Sequence, residues 1–425
     1  MVEQFNVGSL HVHWQPSDKY KTTTFVLQMK APLEDEKTSA ARALLTQVLQ
    51  AGTKKYPSRR EIRKHLDGLY GASFGADVGK KGEQHFVTFF AEVVHEQYLQ
   101  SENEPLAKEM LRFFLSVLFE PAENDDGAFL DSIIKEEKQA LISRVKSIAD
   151  DKIRYANQRL VEEMCKEERY GIPPYGTATH IEDVDERALQ DAYTDLLKTN
   201  AFDLFITGPG EREEIESVLN EYATQFTSKS VTSETKMQKA PEETREVVDH
   251  EDVQQAKLHM GFRVPFQASD NEYAAVLVTN GIFGAFPHSK LFVNVREKES
   301  LAYYAASRYE PYKGLVFAMA GIASDKYERA VTIIKEQLQE LKNGNFTDEE
   351  LQTTQYMLSN QILEQVDSAR GSIDLLYQNV LTNKHRSVED RVKEIQSVSR
   401  EDVTRIASEI TLDTVYLLTG KEDSQ

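Results

Sequence analysis

Asn294-Val-Arg296-Glu-Lys-Glu-Ser-Leu-Ala-Tyr303 sets a guanidinium and a phenol at fixed spacing in a stretch that reads as a helix running into a strand. Arg296 and Tyr303 are the side chains best suited to hold a substrate. A local reading stays open beside this one, with Arg296 paired to Glu299 or another acid on its helix and Tyr303 packed in a strand.

Other reactive constellations are missing from the sequence. The ten histidines form no His-x-x-Glu-His or His-Glu-x-x-His, the spacings that set zinc ligands on adjacent helical turns. His11 and His13 share one strand face, either as a polar surface or as a chelating pair joined by an acid. Gly-x-Ser-x-Gly, Gly-x-x-x-x-Gly-Lys-Ser/Thr and Gly-x-Gly-x-x-Gly are absent, and Phe283 makes Gly281-Ile-Phe-Gly284 too bulky to cradle phosphate. Cys165 lies among Glu162, Glu163, Glu167 and Glu168, which disfavour a thiolate. Glu123-Asn-Asp-Asp126 reads as a solvated loop and helix cap.

The elements that must position Arg296 and Tyr303 fall into two halves of similar rhythm. The first predicts strands over residues 8–14, 21–29, 86–94 and 202–208. Its helices fall over 38–51, ended by Gly52, and from Ser58 to about 70, with Ser58 as cap and Glu61 in capping-box position. Further helices are expected over 104–118, along a charged stretch at 127–167, and up to about 226. Residues 227–250, poor in large apolar side chains, read as a linker. The second half predicts strands at 257–262, 301–309, 314–323 and 416–420, and helices at 271–284, 289–299, 326–342 and 347–363. Residues 273–279 or 315–320, if either is an edge strand, could take up a peptide by strand addition.

A chain of 425 residues exceeds a single ordinary core, and 40 % hydrophobic content suffices for two. We therefore expect an α+β protein of two sheet-and-helix domains, 1–226 and 251–425. The net charge of −20 disfavours nucleic acid and anionic membrane as partners. One cysteine, no signal-peptide pattern at Met1-Val-Glu-Gln-Phe-Asn-Val and no apolar run near 20 residues predict a cytoplasmic chain without a membrane span.

Lys21-Thr-Thr-Thr-Phe, Leu44-Leu-Thr-Gln-Val-Leu-Gln-Ala-Gly-Thr53, Tyr56-Pro-Ser58 and Leu66-Asp-Gly-Leu-Tyr-Gly-Ala72 resemble the first domain of the M16 peptidase family (pitrilysin, insulinase and mitochondrial processing peptidase). Val295-Arg296-Glu297-Lys298 with Glu299-Ser-Leu-Ala-Tyr303 resembles its second. The nearest likeness is to the non-catalytic member of bacterial two-subunit pairs. The resemblance implies two homologous LuxS/metallohydrolase-like domains, each a mainly antiparallel sheet packed with helices, that close around a peptide.

Active members carry an inverted zinc motif, His-x-x-Glu-His, just before the Gly-Thr step. Matching that step to Gly52-Thr53 puts Ala43, Thr46 and Gln47 where the two histidines and the glutamate base would be. Ala43 cannot ligate zinc, and Thr46 is too weak a base to activate water. The third-ligand position falls near Ser143, seven residues after Glu136. No catalytic or metal residue is then expected in the first domain, and no cofactor in this chain.

The resemblance gives Arg296 the anchoring of a substrate carbonyl or carboxylate and Tyr303 the stabilisation of an oxyanion, both at a partner's zinc site. It implies a homologous M16 partner with an intact motif, which holds the zinc, and a peptide substrate, while the isolated chain could form a homodimer. A purely structural or interaction role, and a self-sufficient peptidase with an unrecognised metal set such as His11 and His13 with an acid, are the competing expectations.

Overall fold

The computed structural model describes residues 2–99, 105–229 and 235–420. Position 104 of the expected 104–118 helix and positions 230–234 of the expected linker lie outside these residues. The first half runs β1 (Glu3–Val7), β2 (Leu10–Pro16), β3 (Thr22–Pro32), α1 (Glu36–Ala51), α2 (Arg59–Gly68), β4 (Ser73–Lys81), β5 (Gln84–Val94) and α3 (Leu106–Phe119). It continues with α4 (Asp131–Ile148), α5 (Lys152–Met164), α6 (Ala178–Glu182), α7 (Glu186–Thr199), β6 (Ala201–Gly208) and α8 (Arg212–Glu221). The second half holds β7 (Arg245–Glu251), β8 (Ala256–Arg263), α9 (Tyr273–Asn280), β9 (Ala302–Glu310), β10 (Leu315–Ile322) and α10 (Tyr327–Lys342). After these come α11 (Asp348–Gln365), α12 (Ala369–Thr382), α13 (Val388–Gln396), α14 (Arg400–Glu409) and β11 (Thr411–Gly420).

The chain divides into two compact units that are not consecutive halves. One comprises residues 1–147, 172–234 and 366–377; the other comprises 148–171, 235–365 and 378–425. The first unit has a six-stranded sheet ordered β1-β2-β6-β3-β5-β4, and the second a five-stranded sheet ordered β7-β11-β8-β10-β9. Each sheet is mixed: β2 and β6 pair in parallel, as do β7 and β11, and every other pair is antiparallel. Without β1, the first order and the second are the same permutation of five successive strands.

In the first unit Phe25, Leu27 and Met29 of β3 and Phe89 of β5 bury one sheet face against Leu44, Leu45 and Val48 of α1 and Phe114 of α3. Asp35 starts α1 by accepting the Thr38 N–H at 2.7 Å. The opposite sheet face is met by residues 366–377. There the Tyr377 ring stands edge-on to Phe86 at 5.8 Å and to Phe205 at 5.3 Å, and Arg370 lies over Phe90 at 4.7 Å.

In the second unit one face buries Leu258, Met260 and Phe262 of β8 against helices that include α9, α10 and α14. The other buries Leu315 and Phe317 of β10 and Tyr416 and Leu418 of β11 under Ala156, Leu160 and Met164 of α5. Thus α5, drawn from the first half of the sequence, forms part of the core of the second unit.

Several elements differ from their sequence expectation. The charged stretch 127–167 is two helices, because Asp151 accepts the N–H groups of Ile153 and Arg154 at 3.1 Å and starts α5 afresh. β4 carries no strand signal; Gly75 lies in it because the Phe90 ring across the pair would sit 2.6 Å from any Cβ there. The last residues of the expected linker form β7, which the free side of β11 takes up. Residues 273–279 are helix α9 rather than a strand, and β10 is paired on both sides, so neither offers a free edge. β9 and β7 are the outer strands of that sheet.

The end of α5 is fixed by a buried charge network. Glu168 accepts from Arg263 at 2.6 Å and from Lys313 at 2.7 Å, while Arg263 Nε reaches Asp413 at 2.6 Å. Arg263 also donates to the Met164 carbonyl at 3.1 Å, and Lys313 to that of Lys236 at 2.7 Å. Two cations and two carboxylates balance, and both cations hold the Glu168 carboxyl below its ordinary pKa against the opposing pull of burial.

Removing Arg263 takes the cation from buried Asp413 and leaves Glu168 with Lys313 alone, so Arg263→Met is expected to cost about 3–5 kcal/mol, read by urea unfolding of the second unit. Burial also pushes the imidazoles of His85 and His259 down to about 3. The unfolded chain takes up these protons near pH 6.5, well before the folded chain does. Stability is therefore expected to fall as the pH drops from 6.5 towards 3, and replacing His259 by Phe should flatten that slope in thermal melts across the range.

Candidate functional site

α1 carries Ala43, Thr46 and Gln47, the residues that the resemblance matches to a zinc motif. Ala43 is 0 % and Thr46 1 % exposed. The Thr46 hydroxyl donates to the Arg42 carbonyl of its own helix at 2.8 Å, so even its proton is committed. Gln47 is half-buried beside them. One turn on, the Gln50 amide donates to the carbonyls of Thr46 and Ala76 at 3.0 Å each and accepts the Ala76 N–H at 2.8 Å, clamping α1 to β4. A methyl, a self-bonded hydroxyl and an amide do not fit zinc.

On α4, Ser143 and Glu136 are both exposed, and the neighbouring Glu137 is bound to Arg59 at 2.7 Å. His11 and His13 do converge on an acid. Asp203 Oδ1 lies 3.1 Å from His13 Nε2 and 3.6 Å from His11 Nδ1. Gln4 meets the other His13 nitrogen at 3.3 Å, and the ring stacks on Phe205 at 4.5 Å. These contacts make a hydrogen-bonded strand face. Among the described residues no three His, Cys, Asp or Glu side chains are arranged to hold a metal. Cys165 is buried.

Arg296 and Tyr303 both belong to the second unit. The helical segment Phe292–Lys298 is wound wider than an α-helix, with the Glu299 N–H on the Asn294 carbonyl at 3.3 Å and the Leu301 N–H on that of Val295 at 3.1 Å. Buried Val295 anchors the segment, and Asn294 donates to Gln337 of α10 at 2.7 Å. Ser300, at φ 51°, turns the chain into β9.

β9 then carries an irregularity that aims Tyr303. Ala302 pairs with Ile322 and Tyr304 with the adjacent Gly321, so Tyr303 is the extra residue of a β-bulge. Gly321 is needed because a Cβ there would stand 2.5 Å from the Tyr304 ring. Tyr303 is 81 % exposed, which removes the reading that it packs in a strand. Glu299 is bound to Arg329 of α10 at 2.9 Å. Arg296 is exposed, makes no ion pair among the described residues, and lies over the Phe292 ring with 4.5 Å to the centroid.

Sequence reasoning missed Phe292, Arg329 and the bulge. The four-residue step from Phe292 to Arg296 is a legible same-face spacing. The bulge depends on pairing with β10 and leaves no local pattern.

Residues 183–358 match the model of the peptidase M16 inactive domain. The chain is 38 % identical over 415 residues to the probable inactive metalloprotease YmfF of Bacillus subtilis, covering 98 % of this chain and 97 % of that protein. It is 20 % identical to the uncharacterized zinc protease YmxG of the same organism, covering 83 % of this chain and 81 % of that one. Among solved structures, a conserved protein from Enterococcus faecalis V583 superposes with a TM-score of 0.93 at 28 % identity, each chain covered in full at 100 %. With this likeness along nearly its whole length, the chain belongs to the M16 peptidase family, among its inactive-type members.

Proposed function

We propose that the chain is the non-catalytic, substrate-binding subunit of a heterodimeric M16-type zinc metallopeptidase. One contrast carries this reading. The positions that would bind and use zinc are occupied by inert groups, whereas Arg296 and Tyr303 stand in solvent with their polar groups uncommitted among the described residues. An inert homologue under no demand for these groups gains nothing from a bulge that aims a tyrosine outward.

In this role a homologous subunit with an intact His-x-x-Glu-His supplies the zinc, the water and the base. Arg296 offers a planar fork of N–H donors to a substrate carbonyl or carboxylate, and the Tyr303 hydroxyl donates to the oxygen on which negative charge develops. Both act on the transition state of peptide-bond hydrolysis through hydrogen bonds, without forming a covalent bond to it. The likeness to a named inactive metalloprotease and to a named zinc protease supports such a division of labour.

The common permutation of strands supports descent of both units from one ancestral domain, with 1–226 and 251–425 as the two sequence repeats joined through 227–250. A cytoplasmic setting accords with the single, buried cysteine.

The test is peptide hydrolysis by this chain, by its motif-bearing partner and by their mixture. Activity is expected in the mixture alone, with a loss of about 10²-fold for Arg296→Ala and a comparable loss for Tyr303→Phe. Partner activity unchanged by adding this chain, despite a stable complex, would reassign it as a structural protein of M16 fold.

A further inference from the structure

An exposed arginine samples many rotamers, and ordering it during a reaction costs entropy that a preset side chain has already lost. An ion pair can supply that order, but it occupies the N–H donors the substrate needs. Stacking on an aromatic face orders the guanidinium and leaves its donors at the edge free.

Arg296 is held in the second way. Its guanidinium lies 4.5 Å from the centroid of Phe292, well inside the ~6 Å reach of a cation–π contact. Arg400 shows the alternative in the same unit: it stacks on Phe346 at 4.4 Å but also spends donors on Asp348 and on the Gly344 carbonyl, each at 2.9 Å. The acid closest along the chain after Glu297 is Glu299, three residues on and able to reach Arg296 on a helical surface, yet Arg329 holds it at 2.9 Å. The platform is itself fixed. Phe292 is half-buried, and its segment is tied to α10 both through Asn294–Gln337 and through Glu299–Arg329.

We infer that Phe292 is a positioning residue for Arg296, a role that rests on the shared-site reading above. It presets the guanidinium with every donor available, and α10 supports the arrangement by keeping Glu299 away.

The experiment is a double-mutant cycle on the pair formed with the motif-bearing subunit, with an internally quenched peptide as probe. Phe292→Leu is expected to lower kcat/KM about two- to five-fold, the factor an exposed cation–π contact accounts for. Phe292→Tyr, which keeps the ring, should retain full activity, and Phe292→Leu should add nothing in the Arg296→Ala background. In the isolated labelled chain, the Arg296 side-chain protons should show an upfield ring-current shift that Phe292→Leu abolishes and Phe292→Tyr retains. That readout also keeps the inference open to refutation if Phe292→Leu weakens folding. A strong Arg296→Ala effect with a fully additive Phe292→Leu loss, or an unshifted Arg296 in the unaltered chain, overturns the inference alone. An Arg296→Ala variant without effect overturns the shared-site reading and this inference with it.

Discussion

Glu168, gripped between Arg263 and Lys313 while Arg263 reaches on to Asp413, is the contact on which the second unit depends. Charges this deeply buried are costly to desolvate, and only near-ideal pairing offsets that cost. The network joins the residues that follow α5 to β8, to β11 and to the turn before β10, so it fixes the helix over a sheet face that would otherwise expose Phe317 and Tyr416. With both faces covered, the sheet is a rigid frame for its outer strand. The bulge at Tyr303 is a feature of that strand, and it persists only as long as β9 and β10 hold their register.

The local grammar of the chain is legible in its sequence where the signal is short-range. Strands rich in Val, Phe and Thr, such as β3 and β5, and helices with a cap and a stop, such as α1 and α2, stand close to where their residues predict. Elements defined by distant partners are not. β4 owes its place to pairing with β5, where Gly75 leaves room for the Phe90 ring, β7 to an open side of β11, and the packing of α5 to a network assembled from residues far apart in sequence. The site divides in the same way. The proposed motif positions at 43, 46 and 47 rest on matching one Gly-Thr step in the sequence, while the outward aim of Tyr303 depends on a register shift across two strands.

The chemistry that remains is of a particular kind. A metal centre requires several ligands at once, and the loss of any one of them breaks it. Hydrogen-bond donors for developing charge work singly, at a distance from the metal, and can be contributed by another chain. An inactive-type M16 chain can therefore shed the first and keep the second. In this molecule Thr46 and Gln50 have been absorbed into the packing of α1 against its own carbonyls and β4, whereas Arg296 and Tyr303 have not been absorbed into anything comparable.

The measurement that bears most directly on this division is the zinc content of the chain and of its co-purified pair by elemental analysis. One zinc per pair, none in this chain alone, and loss of the metal when the partner's motif histidines are replaced would be the outcome the account predicts. Tight stoichiometric zinc in this chain by itself would contradict it.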